Sequence, residues 1–156
     1  MAIENLNRQN TEGSRAYGLH TSVTASGGAT RTLTAAESGG VFLWDAATGV
    51  DYTLPAPVVG MQFDFYATVS VTSNAHAIST DAATTFIGGA LQQVIAASAT
   101  SEGQVGDDSS DVTISMNGST TGGLEGTWIR VVATSSTTWA ATGIVVSSGT
   151  LSTPYA

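Results

Sequence analysis

From Met61 to Val71 the residue types alternate. Met61, Phe63, Phe65, Ala67, Val69 and Val71 fall on one side, and Gln62, Asp64, Tyr66, Thr68 and Ser70 on the other. Successive side chains of a strand point to opposite faces, so a period of two predicts a long strand with one face in a core. Phe63 and Phe65 are then core residues, and Tyr66 points the other way. Short apolar runs punctuated by Gly, Pro, Asn and Asp recur along most of the chain. They predict further strands at Arg31–Thr34, Val41–Asp45, Asp51–Leu54, His76–Thr80, Thr84–Ile87, Leu91–Ala97, Val112–Met116, Thr127–Thr134, Thr137–Thr142 and Ile144–Ser147. Two places favour helix instead. Thr34 with Glu37 three residues on has the spacing of a capping box, and Ala90–Ala97 is rich in the helix-favouring Ala, Leu and Gln. No tandem repeat of fixed period is visible. Many short strands without a long helix predict an all-β fold, an antiparallel sandwich or barrel.

The 156 residues fit one domain. Residues 1–30 are polar, with isolated apolar positions at Ile3, Leu6, Tyr17, Leu19 and Val23. That is too little apolar surface to offset the entropy of ordering the segment alone. The expected organisation is therefore an extended N-terminal arm over 1–30 and one β-domain over 31–156.

A reactive site is hard to assemble from this composition. Only 10% of residues are charged, against about 25% in ordinary globular chains. The basic residues are Arg8, Arg15, Arg31 and Arg130, lysine is absent, and the net charge is −8. Nucleic-acid binding requires cations to neutralise phosphates, so the composition argues against it. Without cysteine there are no disulfides, thiolate metal sites or thiol nucleophiles. The first residues lack the apolar core of a signal peptide, and no apolar run reaches the length of a membrane span, so synthesis and residence in a cytoplasm are expected. His20 and His76 are unpaired in the sequence. His76 has Asp81 nearby but no nucleophile in a recognisable setting, and no serine sits in a G-x-S-x-G elbow. Asp107, Asp108 and Asp111 offer hard oxygen ligands, yet their spacing misses that of a calcium loop, and a solvated acidic loop is the preferred reading. Asp45 and Asp51 flank an Ala-Thr-Gly turn and read as turn caps. The expectation is no enzyme, no metal and no cofactor. Trp44, Tyr66 and Trp139 are candidate interface aromatics, and Trp128 reads as a packing or interface residue.

A series of motifs adds a family resemblance. LTAAESGG from Leu33, DAATG from Asp45, YTLPAP from Tyr52 and GMQFDF from Gly60 are followed by NAHAI from Asn74, FIGG from Phe86, GTWIRV from Gly126 and Thr138-Trp139. In this order they resemble a pattern of tailed-phage virion proteins, which include capsid decoration (cement) proteins and some tail or fibre modules. The resemblance carries no catalytic residues and does not separate head from tail. It implies a subunit on the outer surface of the assembled head that stabilises it by bridging capsid subunits. The major capsid protein would be its partner, with Ile3, Leu6 and Tyr17 of the arm in contact with it. Assembly into a homo-trimer or other homo-oligomer is expected, because capsid lattices offer three-fold sites. A sheet-rich chain without lysine also lacks the commonest protection of strand edges, which is tolerable where partners cover them. The alternatives are a tail or fibre module, a carbohydrate-binding adhesin module presenting Trp44, Tyr52, Tyr66 and Trp139, and a β-fold hydrolase.

Overall fold

The computed structural model of the protein describes residues 23–98 and 100–156. Eleven strands follow in order: β1 (Val23–Ala25), β2 (Arg31–Thr32), β3 (Val41–Trp44), β4 (Asp51–Thr53), β5 (Gln62–Ala67), β6 (His76–Ser79), β7 (Phe86–Ile95), β8 (Ser101–Gly106), β9 (Thr113–Met116), β10 (Trp128–Ala133) and β11 (Thr138–Ser147). The described residues contain no α-helix, and one short 3-10 turn spans Ala35–Glu37. That turn sits on the expected capping sequence: the Glu37 carboxylate accepts hydrogen bonds from the Thr34 backbone N–H at 2.8 Å and the Thr34 hydroxyl at 2.9 Å. All-β was the right class.

The strands form two sheets. The large one has seven strands in the order β1-β3-β5-β10-β11-β7-β8, and the small one four, β2-β4-β6-β9. From β1 to β6 the chain alternates between them, and each return to a sheet runs parallel to the previous visit: β1 with β3, β3 with β5, β2 with β4, β4 with β6. The first half is thus a stack of wound turns, and the expectation of antiparallel pairing does not hold there. An antiparallel neighbour needs only a hairpin, whereas a strand reached by way of the other sheet arrives in the same direction. Antiparallel pairing dominates the second half, where β10 joins β5 to β11 and β8 pairs with β7. The long β7–β11 ladder is again parallel.

One core lies between the sheets. Phe42, Trp44, Phe63, Phe65, Ile129, Val131, Trp139 and Val145 enter it from the large sheet, and Tyr52, Ile78, Ile114 and Met116 from the small one; all are at most 1% exposed. Its centre is aromatic. Phe65 lies 5.4 Å from Trp44, 5.5 Å from Tyr52 and 5.8 Å from Phe42, measured between ring centroids. Tyr52 reaches across the layers and donates its hydroxyl to the Leu43 carbonyl at 2.8 Å. Desolvation raises its pKa to about 12, so it remains a neutral donor.

Several expected boundaries move for local reasons. Residues 23–30, assigned to the arm, contribute strand β1 and the turn that follows it. The Asp45 carboxylate fastens that turn, accepting from the backbone N–H of Ser26 at 3.1 Å and of Gly27 at 3.0 Å, and from the Ser26 hydroxyl. The strand expected to run to Val71 stops at Ala67. There the N–H groups of Thr68 and Val69 both donate to the Trp44 carbonyl, at 3.0 and 3.2 Å, and the chain turns off the sheet. Thr84–Ile87 and Leu91–Ala97 are one continuous strand, β7, and the helical alternative at Ala90–Ala97 does not occur. Gly89 looked like a turn but lies inside that strand at φ +102°, where a Cβ would overlap the Ala141 carbonyl of β11. On the small sheet, the far edge of β9 is covered by the chain's own end: Ser115 N–H donates to the Pro154 carbonyl at 2.8 Å, and Ala156 N–H to that of Thr113 at 2.9 Å.

Candidate interaction surface on the large sheet

The large sheet has two faces and a partner for one of them. Its inner face meets the small sheet. Among the described residues no second layer covers the outer face. Strand β10 shows the division: Ile129, Val131 and Ala133 are buried, while Trp128, Arg130 and Val132 between them remain partly exposed. Strand register fixes what the outer face presents. Leu43, Tyr66, Trp128 and Ile144 stand side by side on β3, β5, β10 and β11. Next to this row, Val41, Asp64, Arg130 and Thr142 occupy the same four strands. At the two edges the rows continue into Val23 of β1 and into Ala90 and Val105 of β7 and β8.

Four of the large apolar residues left exposed by the fold lie here: Val23 at 63%, Tyr66 at 41%, Ile144 at 48% and Val105 at 76%. Isolated exposed apolar side chains are ordinary, but a contiguous set on one sheet face marks an interaction surface. The charges in these rows cancel. Arg130 Nε and Nη2 donate to Asp64 Oδ1 and Oδ2 at 2.7 and 2.9 Å, a two-point contact between cross-strand neighbours. The Arg130 guanidinium also lies 5.9 Å from the Trp128 ring centroid, within cation–π range. The surface therefore presents apolar and aromatic groups around one self-neutralised ion pair.

The residues singled out in the sequence divide as follows. Tyr66 is on this face. Trp44 and Trp139 are not: at 0% and 1% exposure they are core side chains, and their candidacy as interface aromatics is withdrawn, because strand parity turns both rings toward the small sheet. Trp128, the cross-strand neighbour of Tyr66, takes that place. Both sides of Thr127–Thr134 are apolar, so its alternation was ambiguous. Arg130 was the available signal, since a lone charge on a strand marks the outward side and Trp128 shares its parity. Ile3, Leu6 and Tyr17 lie outside the described residues.

No catalytic constellation is assembled among the described residues, and no group of three His, Asp or Glu side chains there is placed to hold a metal ion. His76 is fully buried, stacked on Trp44 at 5.5 Å, with Nε2 3.1 Å from the Val69 carbonyl. Burial lowers its pKa, outweighing the upward pull of that carbonyl and of Asp45, which holds it neutral. In the 107–111 loop, Asp107 accepts from the Ser109 N–H at 2.9 Å, the Ser109 hydroxyl at 2.6 Å and the Ser110 hydroxyl at 3.1 Å, while Asp111 accepts from the Asp107 N–H at 2.6 Å. These bonds make the loop a self-capped turn. Asp51 accepts from the Ser79 hydroxyl of the neighbouring strand β6 at 3.0 Å. Compared with protein-family models, curated proteins and solved structures, the chain matches none.

Proposed function

We propose that this chain is a structural subunit of a tailed-phage virion, a decoration or cement protein that binds the outer surface of the assembled head and bridges its major capsid subunits. The observation that carries the reading is the open, charge-balanced apolar face of the large sheet, in a fold whose described residues assemble no reactive cluster. A domain of this kind does its work by being covered. The two sheets around one core are read as an open sandwich, and residues 1–22 as the arm that reaches a neighbouring subunit through Ile3, Leu6 and Tyr17. Arm and domain contacts are each modest. They accumulate when one copy touches two capsid subunits and copies join into a homo-oligomer.

The order of motifs across the chain supports a virion role, and the stacked parallel turns of β1–β6 favour a fibre or tail module as the second reading. A glycan-binding adhesin is less well served. Of its four candidate aromatics only Tyr66 is exposed, and its row neighbours Leu43 and Ile144 offer no hydrogen bonds to a sugar. Co-sedimentation separates the readings. The purified protein should pellet with intact expanded heads and stay in the supernatant with disrupted ones; pelleting with tails alone would move the assignment to the second reading.

A further inference from the structure

We propose that the open face of the large sheet is the surface through which two copies of this chain pair, sheet against sheet, about a two-fold axis parallel to the strands. This concerns the protein by itself and holds or fails without reference to any shell.

Charge chooses the occupant. The chain carries a net charge of −8, so two copies repel one another over most orientations. The rows built on Tyr66 and Arg130 are where they can meet, because their only charges are the Asp64–Arg130 pair, which arrives already neutralised. A cationic partner would gain nothing from this face and would be drawn to the acidic loops instead.

Shape chooses the symmetry. A flat face is wholly covered by one other flat face, and sheets pack well in that arrangement. The expected closed form is therefore a dimer rather than the trimer suggested by lattice symmetry. Strand β10 is the middle strand of the seven. An axis along it stacks Trp128 near its own copy, sets Tyr66 of β5 over Ile144 of β11, and brings Val23 of β1 over Val105 of β8. Val23 and Val105 stand at opposite edges of the sheet and are the most exposed apolar residues of this face, at 63% and 76%. One rotation covers both.

The area is sufficient, though not large. Seven strands at about 4.8 Å spacing span roughly 29 Å, and five residues along β10 add about 16 Å. Two such faces remove on the order of 1,000 Å² from water, the lower limit for a specific association. A dissociation constant around the micromolar range is expected.

Sedimentation equilibrium of the full chain from about 1 to 100 μM tests this. Wild-type protein should fit a monomer–dimer equilibrium. Ile144→Arg, placing an unpaired cation at the centre of the face, should weaken it about 100-fold, and Val105→Lys at the rim about tenfold. Val59→Lys is the control: Val59 is 69% exposed in the loop before β5, off this face, and the variant should behave as wild type. Thermal melts at low concentration confirm that each variant folds; if Ile144→Arg does not, Val105→Lys decides. The chain has no cysteine, so Val23→Cys and Val105→Cys chains mixed with a short bismaleimide should cross-link to each other. A monomer at 100 μM, a trimer, an Ile144→Arg variant that dimerises like wild type, or no Val23–Val105 cross-link would overturn the proposal.

Discussion

Truncating Phe65 and Tyr66, neighbours in sequence, should have very different consequences. Phe65 is 0% exposed and meets Trp44, Tyr52 and Phe42 at centroid distances of 5.4, 5.5 and 5.8 Å. Phe65→Ala removes the ring where both sheets close on it, and surrounding rings held by four strands cannot collapse into the gap. The cost should be roughly 3–5 kcal/mol, the range for a buried aromatic that leaves a cavity. For a domain of this size each kcal/mol moves the melting temperature by about 2–4 °C, so a loss of roughly 6–20 °C is expected. Tyr66 is 41% exposed on the opposite face, and Tyr66→Ala should cost less than about 1 kcal/mol in the monomer. The assay is urea unfolding at sub-micromolar concentration, where any pairing through the outer face is dissociated. Midpoints should separate with slopes unchanged. Equal losses for the two variants would refute the strand parity on which both the core and the open face rest.

Arg130→Met leaves the nearly buried Asp64 carboxylate, 5% exposed, without its cation. The loss should be about 2–3 kcal/mol, below the roughly 3–5 kcal/mol of a fully buried pair because the Arg130 side chain is 39% exposed and screened. Replacing both partners, Asp64→Leu with Arg130→Met, should recover most of it in denaturant melts; a double variant as unstable as the single one would contradict the cause. His76 predicts a pH dependence. Its folded pKa lies below the unfolded value near 6.5, so protons favour the unfolded chain. Its contribution is complete above about pH 6.5 and is lost as pH falls toward the folded pKa, by at most about 1.4 kcal/mol per pH unit. Stability measured from pH 7.5 to 5 should decline in wild type and flatten in His76→Gln; an unchanged slope would assign the decline to other groups.

The most legible elements were those where one side of a strand is apolar and the other is not. Gln62–Ala67 is such a strand, and Phe63, Phe65 and Tyr66 face as their alternation predicts. The short turn after Thr34 was also readable, because a capping sequence acts within three residues. The winding of the first half was not. Val23 pairs with Val41 and Val41 with Asp64, while Arg31 pairs with Tyr52 and Asp51 with Ala77. These register steps are unequal, so no sequence period announces the stack, and the pairing is decided between distant segments. Glycine misled in both directions. Gly89 and Gly143 read as breaks, yet lie inside ten-residue strands where β7 and β10 press against β11 and leave no room for a side chain. Ser101–Gly106 is too polar to show as a strand and becomes one by pairing along β7. Trp128 and Trp139 both sit among apolar neighbours, so their parity, and with it the composition of the open face, emerged only from the register of β10 and β11.

The most direct test of the central claim is made on the particle. Heads assembled without this protein should package DNA, yet release it at a lower temperature than complete heads, because a ligand bound only to the intact shell stabilises it by linkage. Adding the purified protein back should restore the release temperature, saturating at a fixed ratio to the major capsid subunit. The restoration should survive moderate salt, since the contacts are apolar and not exposed ion pairs. Heads that release DNA at the same temperature with and without the protein, or protein that never binds expanded heads and fractionates with tails, would contradict the account.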